Sequence, residues 1–207
     1  MKVIKKIEEG LKNSMSYPEY RKLIKDLLEK NQSTTKDAGE AYVEYSILGY
    51  RRMLRWEKRF KLDSAQEEAI KEFDQNLIWL VISEGWCGDA AHALPIINKL
   101  AEANEKINLR IVLREENLEL MDAFLTNGGR SIPKLIAFDP EKKMVMGTWG
   151  PRPEPAQKIF LEAKEKEIAF DIYEKDLQMW YNKDKGQTIS EEVLQMLNIE
   201  ISEEKTV

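Results

Sequence analysis

Residues 77–90 read Leu77-Ile78-Trp79-Leu80-Val81-Ile82-Ser83-Glu84-Gly85-Trp86-Cys87-Gly88-Asp89-Ala90. Seven apolar or small residues in a row, bounded by an acid and a glycine, are the signature of a strand buried on both faces. The cysteine that follows opens a helical pattern over Asp89–Asn104, with Leu94, Ile97 and Leu100 recurring on one face. A sulfur is thereby placed where a central strand hands over to a helix. Cys87 is the only cysteine in 207 residues.

The pattern continues downstream as alternating elements. Ile107–Leu113 reads as a second strand, Glu116–Leu125 as a short helix and Asn127–Ser131 as a loop by composition. Pro133–Phe138 and Met144–Trp149 are strands separated by Asp139-Pro140-Glu141-Lys142 and are expected to pair as an antiparallel hairpin. Pro151-Arg152-Pro153-Glu154-Pro155 imposes an extended connection before one long helix over roughly residues 156 to 181. Thr188-Ile189-Ser190-Glu191 has the spacing of a capping box and starts a last helix through Val193, Leu194 and Leu197.

Upstream, the first 75 or so residues are helical by periodicity. Tyr20, Leu23, Ile24, Leu27 and Leu28 form one stripe, and Tyr42, Tyr45, Gly49, Met53 and Trp56 a second. Ser64-Ala65-Gln66-Glu67 reads as a capping box for a short helix carrying Ile70 and Phe73. The expected division is a helical extension over 1–75, an α/β domain over 76–183, and a C-terminal helix and tail over 184–207. Short connections and right-handed crossovers reduce the order β-α-β-α-β-β-α to an α/β/α sandwich around one mixed sheet.

Composition excludes several function classes. The net charge is −5, with 33% charged residues, so nothing draws the whole chain toward nucleic acid or an anionic membrane. The basic run Arg51, Arg52, Arg55, Lys58, Arg59 and Lys61 is read as a solvated face or a surface for the acidic C-terminal helices. No apolar run reaches the ~20 residues needed to span a bilayer. One cysteine and one histidine exclude a disulfide framework and a four-ligand structural zinc site. No metal or cofactor is expected, and a reducing, cytoplasmic location is the default.

Four features then converge on one family. Trp86-Cys87-Gly88, Pro95 eight residues after the cysteine, Ser131-Ile132-Pro133 at the start of the third strand, and Trp149-Gly150 after the hairpin occur in order on the expected elements. Together they resemble the thioredoxin superfamily over about Leu77 to Gly150. The whole chain resembles bacterial thioredoxin-family proteins with a helical N-terminal extension. The resemblance implies a thioredoxin-like fold and a cis Ile132–Pro133 peptide facing Cys87. It also implies a binding groove formed by Trp86, Gly88, Ile132 and Pro133. Three positions depart from the family pattern. Ala90 stands where the second thiol belongs, Asp89 replaces the proline, and Val81 replaces a buried acid that serves that second thiol.

Cys87 is therefore the candidate reactive group, with Asp89, Glu84, Arg130 and His92 as candidate modulators. A helix N-terminus lowers a thiol pKa, whereas Glu84 and Asp89 oppose a thiolate. Arg130, on the preceding loop, is positioned to offset those acids. Asp89 also suits the first helical turn. His92, five residues on, is turned about 140° from the thiol at ~100° per residue and is expected at the surface or partly packed. Two functions follow. The first is thiol–disulfide exchange with protein or low-molecular-weight partners, resolved by an external thiol. The second is a redox-inactive binding module using the groove beside Trp86 and Pro133.

Overall fold

In the computed structural model, residues 2–201 are described. Four helices come first: α1 (Lys2–Lys12), α2 (Tyr17–Leu28), α3 (Glu40–Arg59) and α4 (Ser64–Glu72). The α/β part follows as β1 (Leu77–Ser83), α5 (Gly88–Glu102), β2 (Ile107–Leu113), α6 (Leu118–Met121), β3 (Lys134–Asp139) and β4 (Met144–Trp149). The chain ends in α7 (Glu154–Glu165), α8 (Phe170–Asp184) and α9 (Gln187–Met196).

The sheet order is β2-β1-β3-β4. β1 runs parallel to β2 and antiparallel to β3, and β3 and β4 pair antiparallel, with an irregularity at Ala137/Phe138. β1 is central, and Trp79, Leu80, Val81 and Ile82 are fully enclosed, which is why its sequence shows no alternation. α5 packs against β2 and is covered in turn by α3 and α9. α3 can approach because Gly49 faces the turn between β1 and α5: a Cβ there would lie 3.0 Å from the Gly85 carbonyl oxygen. The fold is thioredoxin-like, a mixed sheet between helices with helical additions at both ends.

Helix boundaries differ from the sequence reading in instructive ways. The cap of α4 is Asp63, whose carboxylate accepts from Gln66 N at 2.8 Å, so Ser64 is already in the first turn. α9 is opened by Gly186, and the carboxylate of Asp184 accepts from Gly186 N and from the Thr188 side chain and backbone. The single long helix expected over 156–181 is two helices. α7 closes with Glu167 in the left-handed region (φ 51°), Ile168 N bonded to Ala163 O at 2.8 Å and Glu167 N to Lys164 O at 3.3 Å. Those two bonds are the Schellman pattern, formed here without glycine. α6 is four residues long rather than ten.

Candidate functional site

Cys87 is the N-cap of α5, and its sulfur stands between the helix and the loop before β3. Sγ accepts from Ala90 N at 3.5 Å and donates its own proton to the carbonyl of Ile132 at 3.3 Å. The Ile132–Pro133 peptide is cis, as is Gly150–Pro151. The side chain is only 7% exposed. Burial, and then the Asp89 carboxylate, push the thiol up to about 12, against the lowering influence of the Ala90 and Asp89 amides and Arg152. Here desolvation outweighs the helix N-terminus.

Asp89 is the charge that most opposes a thiolate at that sulfur, and it is itself held by residues far along the chain. Its Oδ2 pairs with Arg152 at 2.7 Å and its Oδ1 accepts from Tyr181 Oη at 2.9 Å; the Asp89 and Arg152 side chains are 12% and 14% exposed. Burial raises the carboxyl of Asp89, and Arg152 and the tyrosine hydroxyl oppose that rise. Tyr181 stacks on His92 with ring centres 4.1 Å apart and planes 8° from parallel. His92 Nδ1 accepts from Trp56 Nε1 at 2.8 Å, so the imidazole is a neutral acceptor in a ring stack. Its 2% exposure corrects the expectation, drawn from the helical angle, of a surface or partly packed side chain. Burial pulls its pKa down to about 3.

Glu84 lies two residues ahead of Trp86, but its carboxylate is engaged elsewhere. It is fully buried and accepts from the hydroxyls of Thr34 and Thr35 and from Glu115 N at 3.0 Å. Thr34 Oγ1 accepts in turn from Gly85 N at 3.0 Å, and Thr35 Oγ1 from Trp86 Nε1 at 2.8 Å. Glu84 thus ties the sulfur turn to the loop between α2 and α3, and these hydrogen bonds do not reach the thiol. Trp86 is further held by Tyr42 edge-on at 5.0 Å and by the Arg114 guanidinium 5.1 Å above its ring. Arg130, expected to offset the acids near Cys87, instead grips Asp122 through Nε and Nη2 at 2.7 and 2.9 Å. Arg152 supplies the charge at the sulfur.

Cys87, Trp86, Gly88, Asp89, His92, Arg130 and Ile132 all line one cavity of about 430 Å³. Glu84 and Pro133 do not line it. Helix α3 contributes Tyr42, Tyr45 and Arg52 to its wall, and α8 contributes Phe170, Tyr173 and Tyr181. Sequence reasoning missed Arg152, Tyr181 and Arg52. The one available signal was a charged residue fixed between two prolines, Pro151-Arg152-Pro153, which was read only as a connection. Arg52 also answers the question of the basic run in part, pairing at 3.7 Å with Glu174 of α8, while Arg55 Nη2 donates to Asn182 at 2.8 Å. Among the described residues no group of three or more His, Cys, Asp or Glu side chains is placed to hold a metal. No helix among them is long and apolar enough to cross a membrane.

The arrangement can be set beside known proteins. No curated protein matches the chain. Two crystal structures share its fold. One is a protein of unknown function from Pseudomonas aeruginosa, with TM-score 0.56, 19% identity, and 78% of this chain and 93% of that one covered. The other is an HIV epitope-scaffold, with TM-score 0.54, 18% identity, and 89% and 98% covered. The sequence profile of a family described as Thioredoxin matches residues 36–167. That span holds the strand, the sulfur turn and the Ile132–Pro133 loop, and leaves outside it only Tyr181 and the other α8 residues of the cavity. More than half of the chain fits the profile, and the protein belongs to the thioredoxin family.

Proposed function

We propose that this protein is a thioredoxin-fold binding protein that receives a small ligand or thin peptide in the cavity over Cys87. The thiol meets that ligand as a neutral hydrogen-bonding group. The observation that carries this reading is the environment of the sulfur: it is buried, donates to Ile132 O at 3.3 Å, and has the Asp89 carboxylate beside it. Each of these favours the thiol over the thiolate, and the thiolate is the nucleophile in exchange chemistry.

Thiol–disulfide exchange is the second reading, and family membership supports a redox role in general. Its specific support is that Cys87 lines the cavity at a helix N-terminus, within reach of an entering disulfide. In that scheme Sγ, having lost its proton to solvent, attacks one sulfur of the disulfide. A new S–S bond forms as the old one breaks, and the departing thiolate takes up a proton. With no second cysteine, an external thiol must release the adduct.

Alkylation of Cys87 by iodoacetamide, followed by mass spectrometry from pH 6 to 10 on folded and urea-unfolded protein, separates the two. Binding predicts that the folded thiol reacts more slowly than the unfolded one throughout, with no plateau near neutrality. A plateau with a midpoint at or below pH 7, together with a glutathione adduct from oxidised glutathione, would overturn it in favour of exchange.

A further inference from the structure

The ligand class follows from the four arginines of the cavity, and this inference rests on the binding reading. They are not equivalent. Arg114 donates to Glu115 through Nε at 3.0 Å and Nη2 at 2.6 Å, and through Nη1 to the Arg130 carbonyl at 3.4 Å. Arg130 is bidentate on Asp122. Both are satisfied by the protein itself.

Arg52 and Arg152 are not. The Arg52 side chain is only 20% exposed, its nearest carboxylate oxygen, on Glu174, is 3.7 Å away, and it makes no hydrogen bond among the described residues. Its Nη1 stands 3.2 Å from where a Cβ on Gly88 would lie, so the guanidinium sits against the first turn of α5. Arg152 gives Nη2 to Asp89 and makes a long 3.4 Å contact from Nη1 to Gln157, while its Nε is buried with no partner. A buried donor without an acceptor is destabilising. The unmet donor capacity of the cavity is therefore concentrated on these two side chains. Cations outnumber acids four to two among its lining residues, in a chain whose net charge is −5.

The rest of the wall sets the shape. Tyr42, Tyr45, Gly49 and Arg52 follow at intervals of three, four and three along α3 and so share one face. With a rise of ~1.5 Å per residue, Tyr45 stands about 10 Å and Tyr42 about 15 Å along the axis from Arg52. Tyr45 meets Phe170 edge-on at 6.2 Å, and both rings are partly open to solvent, at 36% and 50% exposure. Arg152 lies over the Phe160 ring, 4.2 Å from its centre, so cationic groups and aromatic rings adjoin along the wall, and Tyr45 and Phe170 form its solvent-facing aromatic margin.

We propose that the cavity binds an elongated organic anion, with its carboxylate or phosphate between Arg52 and Arg152 and its apolar body along α3 toward Tyr45 and Phe170. A matched set of probes tests this: 6-phenylhexanoate, 6-phenylhexanol and 6-phenylhexylamine, titrated into the full-length protein by calorimetry. The carboxylate should bind at least tenfold more tightly than the alcohol, and the amine not measurably. Arg52→Gln should bring the carboxylate down to the affinity of the alcohol and leave the alcohol unchanged, whereas Arg51→Gln, on the exposed face of the same helix, should change neither. Equal binding of alcohol and carboxylate, binding of none of the three, or a carboxylate affinity indifferent to Arg52 would overturn the proposal. If Arg52→Gln fails to fold, the wild-type ranking of the three probes still decides. These results are independent of the alkylation profile of Cys87, so either conclusion can fail alone.

Discussion

The hydroxyl of Tyr181 donates to the carboxylate of Asp89 at 2.9 Å across 92 positions of chain, tying α8 to the residue two places beyond the sulfur. Burial holds the phenol well above its ordinary pKa, so it remains a donor over the whole working range. Tyr181→Phe keeps the ring stacked on His92 and deletes only the hydroxyl. Because the acceptor is charged and buried, the loss should be about 1.5–3 kcal/mol in urea denaturation. A variant as stable as the parent would mean that Arg152 alone suffices for Asp89.

Asp89→Asn tests what raises the thiol. It removes the second largest cause of the rise and leaves the Arg152 cation in place. The pH profile of Cys87 alkylation should move to lower pH, with a rate near neutrality about tenfold higher for each unit moved. The variant should also lose stability, since Arg152 is left buried without its counter-charge. An unchanged profile would show that burial alone sets the thiol.

The lone histidine makes a clean reporter. The folded pKa of His92, about 3, lies below the unfolded value of ~6.5, so between these pH values the unfolded chain binds the extra proton. Stability from this group is complete above pH ~6.5 and declines as pH falls toward 3, by up to ~1.4 kcal/mol per unit. The imidazole resonances of the folded protein should not titrate between pH 5 and 8. The stability advantage over His92→Gln should shrink by about 2 kcal/mol from pH 7 to 5. A midpoint near 6 in the NMR titration would contradict the buried stack.

Thr34→Val removes a hydroxyl that donates to the Glu84 carboxylate and accepts from Gly85 N. Two buried polar groups lose a partner, and the cost should be about 2–4 kcal/mol at pH 7. Burial raises the Glu84 carboxyl, and Thr34 opposes that rise. Without it the acid is easier to protonate, so the deficit should narrow on acidification to pH 5. A deficit constant with pH would mean that the cost comes from packing rather than from the carboxylate.

The parts of the fold that were legible in sequence are those written locally. β1, β2 and β4 begin and end where their apolar runs do, because each is bounded by turn residues. The sulfur turn was readable because a strand, a Trp-Cys-Gly and a helical pattern adjoin within fourteen residues. The break between α7 and α8 was not, since its left-handed residue is Glu167 and neither glycine nor proline marks it. His92 was misplaced for a different reason. Its angle on α5 does turn it away from the sulfur, but that flank is where α3 and α8 close in, and only long-range packing decides burial. Arg152 and Tyr181 reach Asp89 from 63 and 92 positions away, distances over which no spacing rule operates.

The additions at the two ends of the chain have a shared effect on access. α3 from one end and α8 from the other wall the cavity over the α5 tip, and Tyr45 and Phe170 meet edge-on where the two helices approach. With the thiol only 7% exposed beneath that wall, a slim molecule is expected to reach Cys87 more readily than a bulky folded surface. Trimming either helix is expected to open the sulfur to larger molecules.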